Sequence, residues 1–273
     1  MRPTVKYAVQ ACDKFSNQNQ KRYCGDDRLL LCKKSITSLL SSIENSLDEH
    51  QNHGPLHVVR IFNDRSSYEY TQFMAAAVRR FSSMNLIVEV VNTKKPGIMQ
   101  SIRECYEWLI EGASALVYQV QDDYLFRHDA IYQMIDIFRQ VKFAVNTEPV
   151  ISSYNDPWLF LNSDSYAYRP TPRTIIPGAR QYWLQYYDMS CSFMTSPKVI
   201  KDNYDLIEKF LSLPPNGDDQ KRLESISLNY MLTRRGVLGL IPFSSVGLHM
   251  QAETEKDPYI DWKSWWDAVE EVK

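Results

Sequence analysis

The chain of 273 residues carries 31 Lys and Arg against 33 Asp and Glu, and this near balance excludes a global positive field for nonspecific binding of nucleic acid. Its length and its 44% hydrophobic content are sufficient for one large α/β domain with a full core. The five cysteines include no CxxC pair, which argues against a zinc site or a disulfide framework. No apolar run is long enough for a membrane span, and the N-terminal segment lacks the apolar core of a signal peptide, so we expect a cytoplasmic protein.

The first half of the chain alternates short apolar runs with segments of helical periodicity, which predicts α/β layering. Four strands are expected, at 7–12, 56–62, 86–91 and in the run that begins at 116 and ends on an acidic pair. Helices are expected over about 29–47, 70–81, 98–109 and 131–138.

Polar residues stand where the predicted strands end, namely Cys12-Asp13, Asp64, Lys94-Lys95 and Asp122-Asp123. Ligands of open parallel sheets bind beyond the carboxyl ends of the strands. Four such positions at one edge predict a nucleotide-binding α/β unit.

Asp122 and Asp123 directly follow an apolar strand. Two buried carboxylates are too costly to leave without a cation. A hard divalent ion such as Mg²⁺ or Mn²⁺ takes carboxylate oxygens and keeps positions open for phosphate oxygens. An isolated acidic pair at a strand end could instead begin a turn or cap the following helix. The other polar strand ends favour a metal site for a diphosphate.

The second half is less regular. Residues 149–187 are rich in Pro, Tyr, Trp, Asn and Ser, and we expect a long loop that shapes an acceptor site. Ser196-Pro197 begins a predicted helix that continues to about 211, and a second helix is expected from about 219 to 235. A strand at 237–243 and a polar segment at 244–255 carrying His249 follow.

The tail from 259 to 269 has an apolar face at helical spacing. Its polar face is mostly acidic, which disfavours attachment to a membrane surface. We expect it to pack against the domain, and a homodimer contact is the other interpretation.

The succession of YAVQACD, Asn63-Asp64, Pro96-Gly97 and Gln121-Asp122-Asp123 resembles glycosyltransferases of the GT-A fold. It is most similar to family 2, whose inverting members use nucleotide-activated sugars, and the resemblance covers about the first 140 residues. It implies a GT-A-type, Rossmann-like α/β fold with a mostly parallel sheet flanked by helices and an irregular acceptor-side half. The implied organisation is a donor-binding half at 1–145, an acceptor-side half at 146–256 and a C-terminal amphipathic helix at 257–273.

The resemblance also implies roles for individual residues. Gln121 stands where many relatives have an acid, so the metal contact falls to Asp123, and Asp122 is left for ribose, the sugar or a water-bridged contact. The remaining residues expected to bind the nucleotide sugar are Cys12, Asp64, Lys94, Lys95 and Gly97. The metal expected is Mn²⁺ or Mg²⁺.

The segment GDDQKRLES resembles the acidic helix that supplies the catalytic base in such enzymes. Asp218 or Asp219 would take the proton from the acceptor hydroxyl while the nucleoside diphosphate leaves. Asp218 could also cap the helix, and the two roles can coexist. A late His completes the metal site in many GT-A enzymes, which implies His249 as a ligand beside Asp123; an exposed loop histidine is the alternative.

The leading hypothesis is therefore a metal-dependent inverting glycosyltransferase with a nucleoside-diphosphate sugar as donor, UDP-sugar being favoured. Its acceptor would be a glycan, a protein or a small molecule, with a nucleic-acid base as a minority option. One alternative is a noncatalytic sugar- or nucleotide-binding module of the same fold, which Gln121 suggests. Another is a nucleotidyltransferase, although the segment after the first strand has one Gly and lacks the Gly-rich basic loop expected of that class.

Overall fold

The computed structural model describes residues 2–14, 27–49, 54–155, 174–187, 192–212, 228–250, 260–270 and 272. The strands are β1 (Thr4–Ala11), β2 (Leu56–Asn63), β3 (Leu86–Asn92), β4 (Leu116–Gln121), β5 (Tyr124–Phe126), β6 (Val150–Ile151), β7 (Ile175–Pro177), β8 (Tyr182–Tyr186), β9 (Phe193–Thr195), β10 (Gly239–Pro242) and β11 (Gly247–His249). The helices are α1 (Arg28–Glu49), α2 (Tyr68–Phe81), α3 (Ile98–Ile110), α4 (Ala130–Val145), α5 (Pro197–Asp202), α6 (Tyr204–Leu211), α7 (Leu228–Thr233) and α8 (Trp262–Ala268).

Nine of these strands form one sheet in the order β3-β2-β1-β4-β9-β6-β10-β8-β7. The first four in this order are parallel to one another. Strands β4 and β6 both run antiparallel to β9, and β10 runs parallel to β6. The carboxyl ends of β1, β2, β3, β4, β6 and β10 therefore lie at one edge of the sheet. This is the edge at which the polar strand ends were predicted to meet.

The central strands β1 and β4 are buried on both faces, which explains why they read as nearly continuous apolar runs. On one face, Tyr118 and Val120 of β4 belong to a core that includes residues of α1, α2 and α4. On the other face, Val117 of β4 belongs to a core that includes residues of α3, α5, α6 and α7. Strand β4 therefore contributes residues to both cores.

Helix α1 supports the segment that follows β4. Its buried serines accept hydrogen bonds from the backbone of that segment: Tyr124 N to Ser35 Oγ at 3.1 Å, Phe126 N to Ser38 Oγ at 3.1 Å and Ile131 N to Ser42 Oγ at 3.0 Å. The other edge of β5 pairs antiparallel with β11, which places His249 opposite Tyr124. The acidic pair is thus held between α1 on one side and β11 on the other.

The structure corrects several sequence predictions in the second half. The described parts of 149–187 contain three short strands, β6, β7 and β8, that extend the sheet, and a long loop was the wrong expectation for them. The predicted helix at 197–211 is two helices divided at Asn203, whose side-chain amide donates to Val199 O at 2.8 Å. The segment 244–255 contains β11, which was not predicted.

The tail helix α8 follows its prediction more closely. Its tryptophans Trp262, Trp265 and Trp266 pack against a small core that includes Leu31, Leu125 and Leu248. Among the helices that the structure describes, none combines the length and apolar character needed to cross a bilayer.

Asp129, immediately before α4, joins the two halves of the chain. Its carboxylate accepts hydrogen bonds from Arg127 Nε at 2.6 Å, Gln133 Nε2 at 2.8 Å and Arg180 Nη1 at 3.1 Å. Burial alone would raise the pKa of Asp129, but these donors outweigh it, and the pKa lies below its ordinary value. The stability that ionised Asp129 contributes is present above the ordinary Asp pKa and is lost as the pH falls through the lowered folded-state pKa.

We therefore expect Asp129→Asn to lower the free energy of unfolding by about 1–2 kcal/mol at pH 7, because its three donors lose a charged acceptor. The difference from the unsubstituted protein should disappear in acid, once Asp129 is protonated in both states. Urea unfolding at pH 7 and at pH 3 and below measures both values. Asp205→Asn is the control, because its partner Arg235 is exposed and the loss should be small. An equal loss at both pH values would contradict the role of the charge.

Candidate functional site

Two of the predicted positions, Cys12 and Asp122, are in direct contact at the carboxyl edge of the sheet. The backbone N–H of Cys12, which follows β1, donates to Asp122 Oδ2 at 2.8 Å. The backbone N–H of Asp122 donates to Gln10 O at 3.0 Å, which continues the β1–β4 pairing. Since β1 and β4 are adjacent parallel strands, their ends bring these residues together although 110 positions separate them in sequence.

Asp122 is buried, and groups on three elements of the described chain donate hydrogen bonds to its carboxylate. Besides Cys12 N, the hydroxyl of Tyr70 on α2 donates to Oδ2 at 2.9 Å, and Arg28 at the start of α1 donates from Nη2 to Oδ1 at 2.7 Å. The side chain of Asp122 is only 3% exposed. The Asp122 carboxylate therefore links β1, α1 and α2 to β4. Its cationic partner is the guanidinium of Arg28.

Burial and mutual charge set the pKa values of Asp122 and Arg28. Desolvation raises the pKa of Asp122, and Asp123 adds to the rise, while Arg28 and the hydrogen bonds of Cys12 and Tyr70 oppose it. Burial acts to lower the pKa of Arg28, but the carboxylates of Asp122 and Asp123 outweigh it and raise that pKa. Arg28 is accordingly charged at every pH at which the protein is folded, and it offsets the charge of the acidic pair.

Asp123 has a different set of neighbours. Its backbone carbonyl accepts a hydrogen bond from Met250 N at 2.9 Å, next to the β5–β11 pairing. Its Oδ2 atom lies 3.7 Å from Nε2 of His249 and 3.5 Å from Nη1 of Arg28. The His249 ring stacks on Tyr124, with centroids 4.7 Å apart and an interplanar angle of 20°. The imidazole and the carboxylate are thus held side by side by two paired strands.

Gly247 lets β11 approach the end of β6 closely enough for this arrangement. Its backbone N–H donates to Ser153 O at 2.8 Å. A Cβ at position 247 would lie 2.8 Å from Ser153 Oγ and 2.9 Å from Ser153 Cβ, which is too close for any side chain. The strand that carries His249 therefore requires glycine two residues before it.

The geometry of Asp123 and His249 fits a divalent cation. Adjacent ligands of an octahedral ion with bonds of about 2.1 Å are about 3 Å apart, so a small rotation of either side chain would suffice. Asp123 and His249 are two potential ligands, and in the described part of the chain no group of three or more His, Cys, Asp and Glu residues could hold a metal. Such an ion takes its remaining ligands from phosphate oxygens and water.

Asp64 follows β2 and fixes the loop that leads into α3. Its Oδ2 accepts a hydrogen bond from Gly97 N at 3.0 Å, and its Oδ1 accepts one from the Thr93 hydroxyl at 3.4 Å. Gly97 has a φ of 108°, a conformation that residues with a Cβ rarely adopt. The structure brings Asp64 and Gly97 together, as their positions at neighbouring strand ends predicted.

Lys94 and Lys95 are exposed. Their backbone N–H groups donate to the carboxylate of Glu104 on α3, which shapes the turn. In the part of the chain that the structure describes, the ammonium groups themselves do not contact the acidic pair, and their expected contact with a diphosphate stays a prediction. Asp218 and Asp219 lie outside the described residues, and their catalytic role also stays a prediction.

Sequence reasoning missed Arg28 and Tyr70. Tyr70 begins the helix expected at 70–81, and its ring lies in the core with the other apolar residues of α2, so nothing in the pattern distinguishes its hydroxyl. Arg28 offered a signal: it is the first residue of α1, where the partial positive charge of the helix end disfavours a cation. A basic residue at this position indicates a specific acidic partner elsewhere in the fold.

No protein-family model matches the chain, and no curated protein matches it in sequence. Solved structures resemble it. A UDP-glucose pyrophosphorylase complexed with UDP-glucose has a TM-score of 0.50 and 10% identity, with 98% of this chain and 97% of that chain covered. A UDP-glucose pyrophosphorylase from Acinetobacter baumannii has a TM-score of 0.47 and 8% identity over 98% and 92% of the two chains. A 4-diphosphocytidyl-2C-methyl-D-erythritol synthase from Anaerococcus prevotii DSM 20548 has a TM-score of 0.44 and 10% identity over 98% and 96%.

At such low identity the first of these similarities establishes the fold and nothing further. The chain has a mixed α/β fold of the GT-A-like type, with a large sheet flanked by helices. The predicted fold class is confirmed. The resemblance to glycosyltransferase family 2 in particular receives no specific support from these structures.

Proposed function

We propose that the protein is a divalent-metal-dependent transferase that binds a nucleoside-diphosphate sugar at the carboxyl edge of β1, β2 and β4, with UDP-sugar as the favoured ligand. The observation that carries the proposal is the adjacency of Asp123 and His249, 3.7 Å apart at the end of β4. The structural similarity to a UDP-glucose pyrophosphorylase complexed with UDP-glucose supports the same ligand class.

In this proposal Asp123 and His249 hold Mn²⁺ or Mg²⁺, and Arg28 holds Asp122 in its ionised form beside them. The ion, when bound, stabilises negative charge that develops on the diphosphate oxygens. Asp64 and the backbone at Cys12 line the nucleotide side of the same edge, and Gly97 N–H is held by Asp64 rather than aimed at phosphate. Residues 1–145 would form the donor half, 146–256 the acceptor half and 257–273 a packing tail.

Two reactions could use such a site. Nucleotidyl transfer is the class to which the named pyrophosphorylases and synthase point, and these similarities favour it. In that reaction pyrophosphate and UDP-glucose would give UTP and glucose 1-phosphate.

Glycosyl transfer with inversion is favoured by two features of the sequence. One is the absence of a Gly-rich basic loop after β1, and the other is the late histidine beside the acidic pair. In that reaction an acceptor hydroxyl attacks the anomeric carbon, its proton passes to a carboxylate, for which Asp218 or Asp219 is the candidate, and UDP leaves. The acceptor would be a glycan, a protein or a small molecule.

The test begins with thermal unfolding in the presence of UDP, UDP-glucose, GDP and CMP, each with Mn²⁺ and with EDTA. A nucleotide at about 100 times its Kd stabilises the folded state by about 2.7 kcal/mol, which corresponds to a rise in Tm of about 5–10 °C for a chain of this size. We expect this rise with UDP-glucose and Mn²⁺, and little or none with EDTA.

The reaction is then identified by its products. Formation of UTP from UDP-glucose and pyrophosphate would establish nucleotidyl transfer, and release of UDP that depends on an acceptor sugar would establish glycosyl transfer. Binding without either product would indicate a noncatalytic module. The absence of a shift with every nucleotide would reject the proposed function.

A further inference from the structure

Two glutamines form an ordered pair at the carboxyl edge of the sheet. Gln10 in β1 and Gln121 in β4 are register partners on adjacent parallel strands. Gln121 Nε2 donates to Gln10 Oε1 at 3.1 Å, and Gln10 Nε2 donates to the backbone carbonyl of Ile98 in the first turn of α3 at 3.1 Å. Gln10 is 6% exposed, whereas Gln121 is partly exposed at the edge.

The carbonyl of Ile98 determines which way both amides face. A carbonyl can only accept, so Gln10 must present its nitrogen to Ile98 and its oxygen to Gln121. Gln121 must then present its nitrogen to Gln10, which leaves Gln121 Oε1 on the side away from Gln10. The opposite orientation of either amide would set two acceptors or two donors against each other, and a buried mismatch is costly.

Gln121 Oε1 is consequently a fixed acceptor beside the acidic pair. No described residue donates a hydrogen bond to it. The oxygens of Asp122, the next residue, already accept from Arg28, Tyr70 and Cys12 N, so Asp122 has little capacity left to bind a ligand hydroxyl. Gln121 is the neighbouring acceptor that is still available to a ligand.

The residue that precedes Gln121 on the same face of β4 is also polar. Gln119 lies two residues earlier on the same face of β4 and is 1% exposed. Neither its amide nitrogen nor its amide oxygen has a hydrogen-bond partner among the described residues. Buried polar atoms of this kind are usually satisfied by an ordered water or by a ligand. This face of β4 is therefore suited to polar groups right up to the strand end.

We propose that Gln121 Oε1, oriented by Gln10 and the Ile98 carbonyl, accepts a hydrogen bond from a hydroxyl of the bound nucleotide sugar and so selects ligands that carry that hydroxyl. The inference rests on the proposed function and adds to it a specificity-determining residue, Gln121, and a positioning residue, Gln10. The hydroxyl belongs to the ribose or to the hexose, and the ligands of the test separate the two.

The experiment is isothermal titration calorimetry in Mn²⁺ with the full chain. The probes are UDP, 2′-deoxy-UDP, 3′-deoxy-UDP, UDP-glucose and UDP-2-deoxyglucose. Loss of one neutral hydrogen bond of about 1.4 kcal/mol weakens binding about tenfold. The unsubstituted protein should therefore bind one deoxy ligand about tenfold more weakly than its parent, and the identity of that ligand locates the hydroxyl.

In Gln121→Met the acceptor is absent, and the deoxy ligand and its parent should bind equally. In Gln10→Met the acceptor remains but its amide can rotate, so the discrimination should fall below the tenfold ratio of the unsubstituted protein. Gln140→Met, on α4, is the matched control and should keep the full tenfold ratio. Because each result is a ratio of two affinities for one variant, a general loss of folding does not imitate it.

Full discrimination retained by Gln121→Met, or equal binding of all deoxy ligands by the unsubstituted protein, would overturn the role of Gln121 while leaving the proposed function standing. Failure of the unsubstituted protein to bind UDP and UDP-glucose at all would reject both.

Discussion

An Asp123→Asn variant is expected to lose the metal-dependent part of nucleotide binding and at least about a hundredfold in turnover. The amide keeps the shape of the side chain but has no charge and only one oxygen to offer, so it is a poor ligand for Mn²⁺. Removal of charge stabilisation from a developing leaving group commonly costs factors of 10² to 10³ in rate. The measurement is the Tm rise with UDP-glucose in Mn²⁺, together with product formation.

Two further variants test this expectation, one as a control and one at the second proposed ligand. Glu104→Gln removes an acid from the same edge of the sheet, where it holds only the backbone of Lys94 and Lys95, and it should leave the Mn²⁺-dependent shift unchanged. His249→Gln removes the second proposed ligand and should weaken the Mn²⁺ dependence in the same direction as Asp123→Asn. A full Mn²⁺-dependent shift in Asp123→Asn would show that the metal is bound elsewhere.

Replacing Arg28 with methionine is expected to lower the free energy of unfolding by about 3–5 kcal/mol, because it leaves the buried Asp122 carboxylate without its cation. The side chain of Arg28 is 15% exposed and that of Asp122 only 3%, so solvent cannot replace the missing charge. Urea unfolding at pH 7 without nucleotide or metal measures the loss directly.

The double variant Arg28→Met with Asp122→Asn provides the critical comparison. With the buried charge removed as well, much of the lost stability should return, since the cost lies in the unpaired carboxylate. Arg80→Met is the control, because Arg80 pairs with Glu44 at the surface and its side chain is 58% exposed. A loss below about 1 kcal/mol in Arg28→Met, or no recovery in the double variant, would mean that the ion pair of Arg28 and Asp122 contributes little to the free energy of unfolding.

The prediction of the first half from sequence succeeded because its elements are long and locally encoded. Strands of six to eight residues in β1, β2 and β4 bury both faces, and α1 to α4 carry apolar stripes at helical spacing. The second half was harder, because β6 has two residues and β9 and β11 have three. A strand that short has no detectable alternation, and only its partners in the sheet define it.

The sequence by itself determined the α/β class, the carboxyl edge at which the candidate site is placed, and Asp64, Gly97, Asp122 and Asp123 as residues of that edge. It also showed that two adjacent buried carboxylates require a cation. Only the tertiary structure decided which cation meets Asp122. Arg28 is separated from Asp122 by 94 positions and reaches it because α1 begins over the end of β4.

Tertiary structure likewise decided the neighbours of Asp123 and of Gln121. His249 reaches Asp123 through the pairing of β11 with β5, and the orientation of Gln121 depends on a backbone carbonyl in α3. Hydrogen bonding and charge pairing act over about 3 Å in space and are indifferent to separation along the chain. Periodicity records which face of an element is buried, and contacts between distant elements leave no such periodic trace in the sequence.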